Sequence, residues 1–348
     1  MNTPNIVRFG VVGCGAISTQ HFEAIDAVEG ARLVAVASAS IESARAAGER
    51  RHVPWMTELD DLVARDDVDA VVLCTPSGLH AKQAIVALRH GKHVLIEKPI
   101  ALSDEDANAV IAEGIHQRRT VGVISQRRFD PILQQAHSAV TNGAIGRPIL
   151  IVGEALFHRP QTYYDSALWR GTRSLDGGVL MNQAIHMIDL VRWIGGPVSS
   201  VTAKIATLNH QMEAEDTAIL NICFCNGSLG LVFASTSVAE SLSQELRIYG
   251  DRGNIRIAGD EAIEWNLVDG KHLFPAAKAL NNPSQALAPA TWGTDASGHI
   301  LQYTDFVSAV INKRAPRVTG EDGLNALRLV TAAYEADQTG QTIIIKQG

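Results

Sequence analysis

The sequence predicts an α/β protein with two domains. At 348 residues the chain is longer than one hydrophobic core usually serves. Short apolar runs alternate with helix-like segments over the first third, which is typical of βαβ units in a parallel sheet. Strand-like runs dominate much of the rest. We therefore predict a doubly wound parallel sheet over residues 1–124 and a second domain of helices and strands over residues 125–348.

The elements of the first domain follow from apolar runs and the turn residues between them. Ser103 and Asp106 have the spacing of a capping box, which starts the last helix of this domain. Right-handed crossovers bring the carboxyl ends of parallel strands to one edge of a sheet, where ligands bind. Five strands are predicted, at residues 6–12, 33–38, 69–74, 93–97 and 120–124. A helix is expected after each of the first four.

The second domain is predicted to begin with a helix that Asp130 and Pro131 start. Six strand-like runs follow, the last two as a hairpin across residues 250–253. Two helices at about 300–312 and 321–338 precede a final strand. The first of these helices is expected to bury Leu301, Thr304, Val307 and Ile311. Residues 275–298 are predicted to be a flap, an oligomer contact or a disordered loop.

The composition excludes several classes of protein. A formal charge of −7 argues against a nucleic-acid partner, which would need a basic surface. No run of about 18 apolar residues predicts a membrane span. The start of the sequence lacks the basic head and cleavage site of a secretory signal. Together with four cysteines that form no disulfide framework, these features predict a cytoplasmic protein with no membrane partner.

A glycine motif directly after the first strand predicts a dinucleotide site. Residues 13–18 fit G-x-G-x-x-S, in which Gly13 permits a tight turn and Gly15 lets the main chain approach a pyrophosphate. A glycine turn that binds nothing, or one that binds S-adenosylmethionine, is the alternative. The cofactor-binding residues expected from this loop are Gly13, Cys14, Gly15, Ala16 and Ile17.

The second strand bears on the choice between NAD and NADP. It ends at Ser38 and has no carboxylate before Glu42, whereas an NAD site usually carries an acid that binds the ribose hydroxyls. Ser38, Ser40 and Arg45 favour NADP slightly. Serine also binds a ribose hydroxyl, so both cofactors stay open.

Two further strand ends lie at the same predicted edge. Glu97 and Lys98 close the strand at 93–97, and both are expected to contact the cofactor. A lysine there could also donate or relay a proton, with a pKa lowered by a cationic nicotinamide. The alternative is a surface lysine paired with Glu97. Whether Pro99 is cis is left open. The strand at 69–74 ends in a turn or a cofactor contact formed by Thr75, Pro76, Ser77 and His80.

The segment at 176–196 places Asn182, His186 and Asp189 within a run that is otherwise typical of a buried helix. On a helix from about residue 178 to 193, Asn182, His186 and Asp189 share one face. A buried histidine with a hydrogen-bond partner is the alternative. Three polar groups on one stripe favour a substrate-facing helix, with His186 turned towards Lys98 across a cleft.

The motifs G-x-G, TPSGLH, GKHVLIEKP and the Asn182–His186–Asp189 segment, in this order, resemble the Gfo/Idh/MocA oxidoreductases. Other segments resemble the branch of UDP-N-acetylglucuronate 3-dehydrogenases and 3-ketosugar-nucleotide reductases. The resemblance implies a Rossmann domain followed by an α+β domain with an open, mainly antiparallel sheet. It also implies a homodimer or homotetramer assembled through that sheet.

The expected function is transfer of hydride between NAD(P) and a secondary hydroxyl or ketone of a sugar or sugar nucleotide. His186 is the expected general acid/base, Lys98 would bind the reacting oxygen, and Asn182 would orient the substrate. The family often has Asp where this chain has Asn182, which favours sugar nucleotides over polyols. An inositol or free-sugar dehydrogenase and a non-catalytic dinucleotide-binding regulator are the alternatives.

Secondary site residues come from the branch-specific segments, and no metal ligand is expected. Arginine binds phosphate or carboxylate in a fork, as a sugar nucleotide would require. Surface charges and a core tryptophan are the alternative interpretation. The cofactor candidates are Gln126, Trp169 and Arg170, and the substrate candidates are Arg127, Tyr163 and Gln183, with Arg128 as a further arginine.

Overall fold

The computed structural model describes residues 6–267 and 296–346. Most of the predicted loop at 275–298 therefore lies outside the described residues. The strands are β1 (Val7–Val12), β2 (Ala31–Ala37), β3 (Trp55–Met56), β4 (Ala70–Leu73), β5 (His93–Ile96), β6 (Val121–Val123), β7 (Pro148–Leu156), β8 (Val198–Ala206), β9 (Thr217–Phe224), β10 (Leu229–Ser235), β11 (Glu245–Gly250), β12 (Gly253–Ala258), β13 (Glu261–Leu267) and β14 (Ile343–Ile344). The helices are α1 (Ser18–Ala27), α2 (Ile41–Arg51), α3 (Leu59–Val63), α4 (His80–Arg89), α5 (Asp104–Gln117), α6 (Pro131–Thr141), α7 (Gln161–Asp165), α8 (Ile185–Gly195), α9 (Ser297–Asn312) and α10 (Gly320–Thr339).

The first compact unit contains the described residues up to Gln126 together with residues 296–327. Its six strands form a parallel sheet in the order β3-β2-β1-β4-β5-β6. From β1 the strands β2 and β3 are added towards one side of the sheet, and β4, β5 and β6 are added towards the other side. This change in strand order creates a crevice at the carboxyl ends of β1 and β4. Ser103 caps α5 by accepting a hydrogen bond from the main-chain N–H of Asp106, as predicted.

The core of this unit includes α9, which the sequence assigns to the second domain. Tyr303, Phe306 and Val307 are buried in one cluster with Phe9 of β1, and the Phe9 and Tyr303 rings lie 5.4 Å apart. The predicted buried face of α9 is wrong at two positions, because Leu301 is 44% exposed and Thr304 is also exposed.

The second unit comprises the other described residues. Its eight strands form a sheet in the order β13-β12-β11-β7-β10-β9-β8-β14. All described pairs in this sheet are antiparallel except β7 with β10, so the predicted mainly antiparallel sheet is confirmed. The hairpin of β11 and β12 forms as predicted, whereas β13 was not predicted.

Helix α8 packs on one face of this sheet because β7 contains Gly153. A Cβ at Gly153 would lie 2.6 Å from Cγ of Met187 and 2.7 Å from Cγ2 of Val191, both on α8. None of the helices in the described parts of the chain has the length and hydropathy that a membrane span requires.

Candidate active site

The glycine loop connects β1 to α1 in the first unit. Gly13 has a φ of 93°, and a Cβ there would lie 2.6 Å from the carbonyl oxygen of Cys74, so the turn requires glycine. At Gly15 no atom lies within 4 Å of the position a Cβ would fill. Within the described residues, no main-chain bond uses the N–H groups of Gly15, Ala16 or Ile17. The loop is therefore an open cradle of donors at the positive end of α1, which suits a pyrophosphate.

Other predicted cofactor residues lie around this loop at the carboxyl edge of the sheet. The Cys14 thiol donates to the carbonyl oxygen of Ala37 at 3.6 Å, and burial raises the pKa of this thiol to about 11. Cys14 is therefore a neutral hydrogen-bond donor at neutral pH. Ser38 follows β2 at this edge and is half-buried.

After Ser38, the start of α2 carries the first carboxylate that follows β2, that of Glu42. The Ser40 hydroxyl caps α2 and also donates to Oε2 of Glu42 at 2.9 Å. Hydrogen bonds from the main-chain N–H of Glu42 and from Ser40 lower the pKa of the Glu42 carboxyl. A negative charge is therefore present in the first turn of α2, five residues after the end of β2.

The segment at 75–80 is held in place by His80, which is buried. Its Nδ1 lies 2.7 Å from the carbonyl oxygen of Pro99, and its Nε2 lies 2.9 Å from that of Thr75. Burial lowers the pKa of His80. The Thr75 hydroxyl donates to Oε1 of Gln83 at 2.6 Å, and Ser77 is buried. The His80 side chain thus joins the segments that follow β4 and β5, and the Thr75 side chain ties the first of these segments to α4.

The Glu97–Lys98 pair follows β5 at the same edge. Glu97 is buried, and its Oε1 lies 3.0 Å from Nε2 of His21 on α1. Its Oε2 accepts a hydrogen bond of 3.1 Å from the main-chain N–H of Lys98. Lys98 is half-buried, and the Lys98–Pro99 bond is cis, which answers the question that the sequence left open.

In the second unit, the polar segment differs from its prediction. Helix α8 begins at Ile185, so Asn182 lies in the turns before the helix and does not share a helical face with His186. Gly177, with a φ of 76°, and Gly178 allow this irregular entry, because a Cβ at Gly178 would lie 2.3 Å from the carbonyl oxygen of Glu215.

Asn182 is anchored by a residue that the sequence did not single out. Its Nδ2 donates to Oδ1 of the buried Asp176 at 2.5 Å, and Asp176 also accepts from the main-chain N–H of Gly171 at 2.8 Å. A carboxylate can only accept here, so the amide nitrogen of Asn182 must point to Asp176. The hydrogen bond to Asp176 therefore fixes the orientation of the Asn182 amide.

His186, Gln183 and Asn182 share one property within a strongly buried stretch. From Val179 to Val191, these three are the residues that are half-buried, whereas all the others are buried. The remaining polar residue, Asp189, is buried and accepts from Nε and Nη2 of Arg128 at 2.8 and 2.5 Å. This ion pair accounts for the carboxylate on the apolar face of α8.

Arg128 and Arg127 are both buried in ion pairs of the second unit. Arg128 also lies over the ring of Trp193, which stacks on His137 with ring centroids 4.0 Å apart. Arg127 contacts Asp130 at 2.5 Å and Asp260 at 2.7 Å. The role of Arg127 as a substrate ligand stays a prediction. Gln126, the last residue of the first unit, lies against Gly298 of α9.

Aromatic and arginine side chains form a separate cluster in the second unit. The guanidinium of Arg170 lies 4.2 Å from the ring centroid of Tyr163 and 4.6 Å from that of Trp169. Arg159 lies over Tyr163 as well, at 5.3 Å. Three predicted site residues are thus brought together, and Arg159 joins them as a second cation that the sequence analysis had not singled out.

The comparisons with known proteins agree with this description. Residues 7–125 match the NAD-binding Rossmann domain of the Gfo/Idh/MocA oxidoreductase family, and residues 137–345 match its C-terminal alpha/beta domain. The WlbA dehydrogenase from Bordetella pertussis, solved with NADH and UDP-GlcNAcA, is 33% identical, with a TM-score of 0.86 over 99% of this chain and 100% of that chain. The WlbA enzyme from Chromobacterium violaceum, solved with the same two molecules, is 32% identical, with a TM-score of 0.88 over 99% and 98%.

A curated relative acts on a different substrate. The myo-inositol 2-dehydrogenase of Thermotoga maritima is 25% identical over 98% of this chain and 99% of its own length. The two matching domains confirm the predicted fold class and the predicted enzyme class, a dehydrogenase with an NAD-binding domain. The chain belongs to the Gfo/Idh/MocA family of oxidoreductases.

Proposed function

We propose that this protein is a dehydrogenase that oxidises a secondary hydroxyl of a sugar nucleotide, or reduces the corresponding ketone. The observation that carries the proposal is the row of half-buried polar groups in a stretch that is otherwise buried, with Asn182 anchored by Asp176. The similarity to dehydrogenases solved with UDP-GlcNAcA supports a sugar nucleotide over a free sugar.

We propose NAD as the cofactor. The open cradle at Gly15 and the donors at the start of α1 fit a dinucleotide. Sequence alone favours NADP slightly because Ser38 replaces the usual acid. The ionised Glu42, bonded to Ser40, supports the opposite choice, since a negative charge near the end of β2 repels a 2′-phosphate.

Each proposed catalytic residue has one task. When bound, the nicotinamide exchanges a hydride with the carbon that bears the hydroxyl. In oxidation, His186 takes the hydroxyl proton on a ring nitrogen. Lys98 binds the reacting oxygen and stabilises the negative charge that develops as the O–H bond breaks. Asn182 accepts a hydrogen bond from a substrate hydroxyl through Oδ1, because Asp176 holds its nitrogen. In reduction the proton returns from His186.

The cluster around Tyr163 supports an anionic substrate. Arg170 and Arg159 flank the same ring, and the Nε atoms of both are buried without a hydrogen-bond partner in the described residues. Such donors suit a phosphate or a sugar carboxylate. Trp169, in contact with Arg170, offers a flat surface for a sugar or nicotinamide ring.

We also propose that the chain forms a homodimer or homotetramer through the open face of its second sheet. Helix α8 covers the face that contains Gly153. The opposite face of neighbouring strands presents Ile219 and Leu229, which are 47% and 54% exposed, beside Leu231 and Phe233. A contiguous apolar patch of this kind marks an interface.

The decisive experiment measures hydride transfer at 340 nm against UDP-GlcNAcA, other UDP-sugars, myo-inositol and free sugars, with NAD and with NADP. We expect activity with a UDP-sugar and a higher kcat/KM with NAD. Lys98→Ala and His186→Ala should each reduce kcat by at least about 100-fold, because each removes charge stabilisation or proton transfer.

Matched controls separate chemistry from general damage. Lys82→Ala and His116→Ala remove exposed side chains of the same two types from α4 and α5, and both variants should keep wild-type kcat. Activity confined to myo-inositol would replace the sugar-nucleotide proposal with the polyol alternative. NAD binding without turnover of any substrate in the panel would favour a regulator.

A further inference from the structure

A buried polar network lies directly behind Lys98 in the first unit. His21, Glu97 and Tyr303 come from α1, the end of β5 and α9, and all three are buried in the apolar core of this unit. His21 connects the other two, with its Nε2 3.0 Å from Oε1 of Glu97 and its Nδ1 2.8 Å from the Tyr303 hydroxyl. Polar groups at such positions usually serve a purpose other than stability.

The protonation states of the network follow from its geometry. Burial disfavours the Glu97 carboxylate, but the hydrogen bond with His21, the nearby His299 ring and the charge of Lys98 outweigh burial and hold the pKa of Glu97 well below its usual range. Burial lowers the pKa of His21, so its imidazole is neutral. The single N–H of His21 must then be on Nε2 and donate to Glu97. Its Nδ1 accepts from the Tyr303 hydroxyl, so every group between Tyr303 and Glu97 is satisfied.

The second carboxylate oxygen of Glu97 connects the network to Lys98. Oε2 of Glu97 accepts from the main-chain N–H of Lys98 at 3.1 Å. One buried anion therefore contacts the main chain of the proposed catalytic lysine on one side and a fixed imidazole on the other. The charge of Lys98 also contributes to the lowered pKa of Glu97, so the two side chains attract each other.

We propose that Glu97 is a positioning residue for Lys98: it fixes the lysine main chain through Oε2, and its buried charge keeps the lysine protonated while it binds the reacting oxygen. His21 and Tyr303 hold the carboxylate in place through Oε1. This inference rests on the catalytic role of Lys98 given above. It adds a reason for Glu97 to be acidic that contact with the cofactor does not supply.

Other charged or titratable groups also face Glu97. His299 of α9 has its Nε2 3.7 Å from Oε1 of Glu97, and its ring meets that of His21 edge to face at 5.1 Å. Cys74 at the end of β4 and His80 of α4 interact electrostatically with the same carboxylate. The groups that surround Glu97 are thus His21, Cys74, His80, Lys98, His299 and Tyr303.

A bound metal ion is the competing explanation of this cluster. One ligand atom each from His21, Glu97 and His299 lies within 4.8 Å of the others. However, the Nε2 of His21 is already used by Glu97 at hydrogen-bond distance, and a neutral ring with Nδ1 accepting from Tyr303 leaves no lone pair for a cation. We therefore assign the cluster to proton and charge placement.

The test is the pH dependence of kcat/KM for the sugar-nucleotide substrate in Glu97→Gln. Activity falls at high pH as Lys98 loses its proton. Without the neighbouring negative charge the lysine loses its proton more readily, so the alkaline limb should move to lower pH by about one unit. A purely structural glutamate would lower kcat/KM by the same factor at every pH and leave the limb unmoved.

Two further variants separate charge from geometry. Glu97→Asp keeps the charge but shortens the side chain, so the limb should stay in place while kcat falls by about tenfold. Tyr303→Phe retains the ring and the carboxylate and removes only the outer hydrogen bond, so the limb should also stay in place. Because this change conserves shape, the variant should fold even where Glu97→Gln does not.

Asp69→Asn is the matched control, since Asp69 pairs with Arg8 just before β4, at the opposite edge of the same sheet. Its alkaline limb should match that of the wild type.

The inference is wrong if Glu97→Gln leaves the alkaline limb unmoved, or if Asp69→Asn displaces the limb equally. Stoichiometric metal in the purified enzyme whose removal abolishes activity also overturns the inference. If Lys98→Met retains full turnover, the proposed function fails first; if it is inactive while the Glu97→Gln limb is unmoved, this inference alone fails.

Discussion

At the scale of single residues, buried partners hold two of the proposed site residues in place: Asp176 bonds the side chain of Asn182, and Glu97 bonds the main chain of Lys98. Lys98 and His186 stand in motifs whose residue types suit their chemistry. Asp176 begins the segment at 176–196 and His21 lies on α1, and neither residue type shows its role. Their roles follow from burial beside Asn182 and beside Glu97. Asp176 had one available signal, a carboxylate directly before two glycines and an apolar run.

Replacement of Asp176 tests the anchoring of Asn182. Asp176→Asn leaves one oxygen to serve both Asn182 and the main-chain N–H of Gly171, so one of these bonds is lost. We expect kcat to fall by about tenfold to hundredfold, because a small displacement of a substrate-orienting group is costly. The dissociation constant for NADH, followed by fluorescence quenching, should stay at its wild-type value.

The matched control for this variant is Asp165→Asn, an exposed acid at the end of α7 in the same unit. Wild-type kcat is expected for it. Asn182 would not depend on Asp176 if Asp176→Asn retained wild-type kcat with the sugar nucleotide.

At the scale of elements, hydrophobic periodicity located most strands and helices of the described chain. It placed the start of α8 seven residues too early, at about 178 rather than 185. The reason is that Val179, Leu180, Met181 and Ala184 are apolar and buried, as residues of a buried helix are. The glycine pair at 177–178 and the close approach to Glu215 impose turns there instead. On α9 the hydrophobic pattern predicted the wrong buried face. The buried face contains His299, Gln302 and Tyr303, which periodicity counts as solvent-facing.

Packing between β7 and α8 links stability to the site. A methyl group at Gly153 would overlap Met187 and Val191 and push α8, the helix that carries His186, away from the sheet. We expect Gly153→Ala to lower the free energy of unfolding by about 1–3 kcal/mol, as over-packing does, and to lower kcat as well. Urea denaturation and steady-state kinetics measure the two effects.

A double variant makes this prediction specific. Met187→Ala creates space at the point of overlap, so Gly153→Ala should cost less stability in that background than in the wild type. Strictly additive losses of unfolding free energy would show that the side chains of α8 do not set its distance from β7.

At the scale of the whole molecule, the sequence predicts two domains with one boundary at residues 124–125. In the structure the chain passes from the first unit to the second, returns to the first and passes to the second again. Residues 296–327 belong to the nucleotide-binding unit, because Tyr303, Phe306 and Val307 complete the core over Phe9. A single boundary along the sequence assigns every later residue to the second domain. It therefore cannot detect a late segment whose apolar side chains return to an earlier core.

Assembly is the property of the whole molecule that a single substitution tests most directly. A carboxylate at position 219 would lie within the proposed interface, where desolvation of a charge is costly even beside Lys204, its cross-strand neighbour on β8. Ile219 is 47% exposed in one chain, so Ile219→Glu should leave the fold intact. We expect it to weaken self-association by about 100-fold and to shift the mass measured by light scattering towards the monomer. Ile115→Glu, at a 74% exposed position of α5, is the matched control and should assemble as the wild type does. A wild-type monomer at micromolar concentration, or an unchanged mass for Ile219→Glu, would show that this sheet face is not the interface.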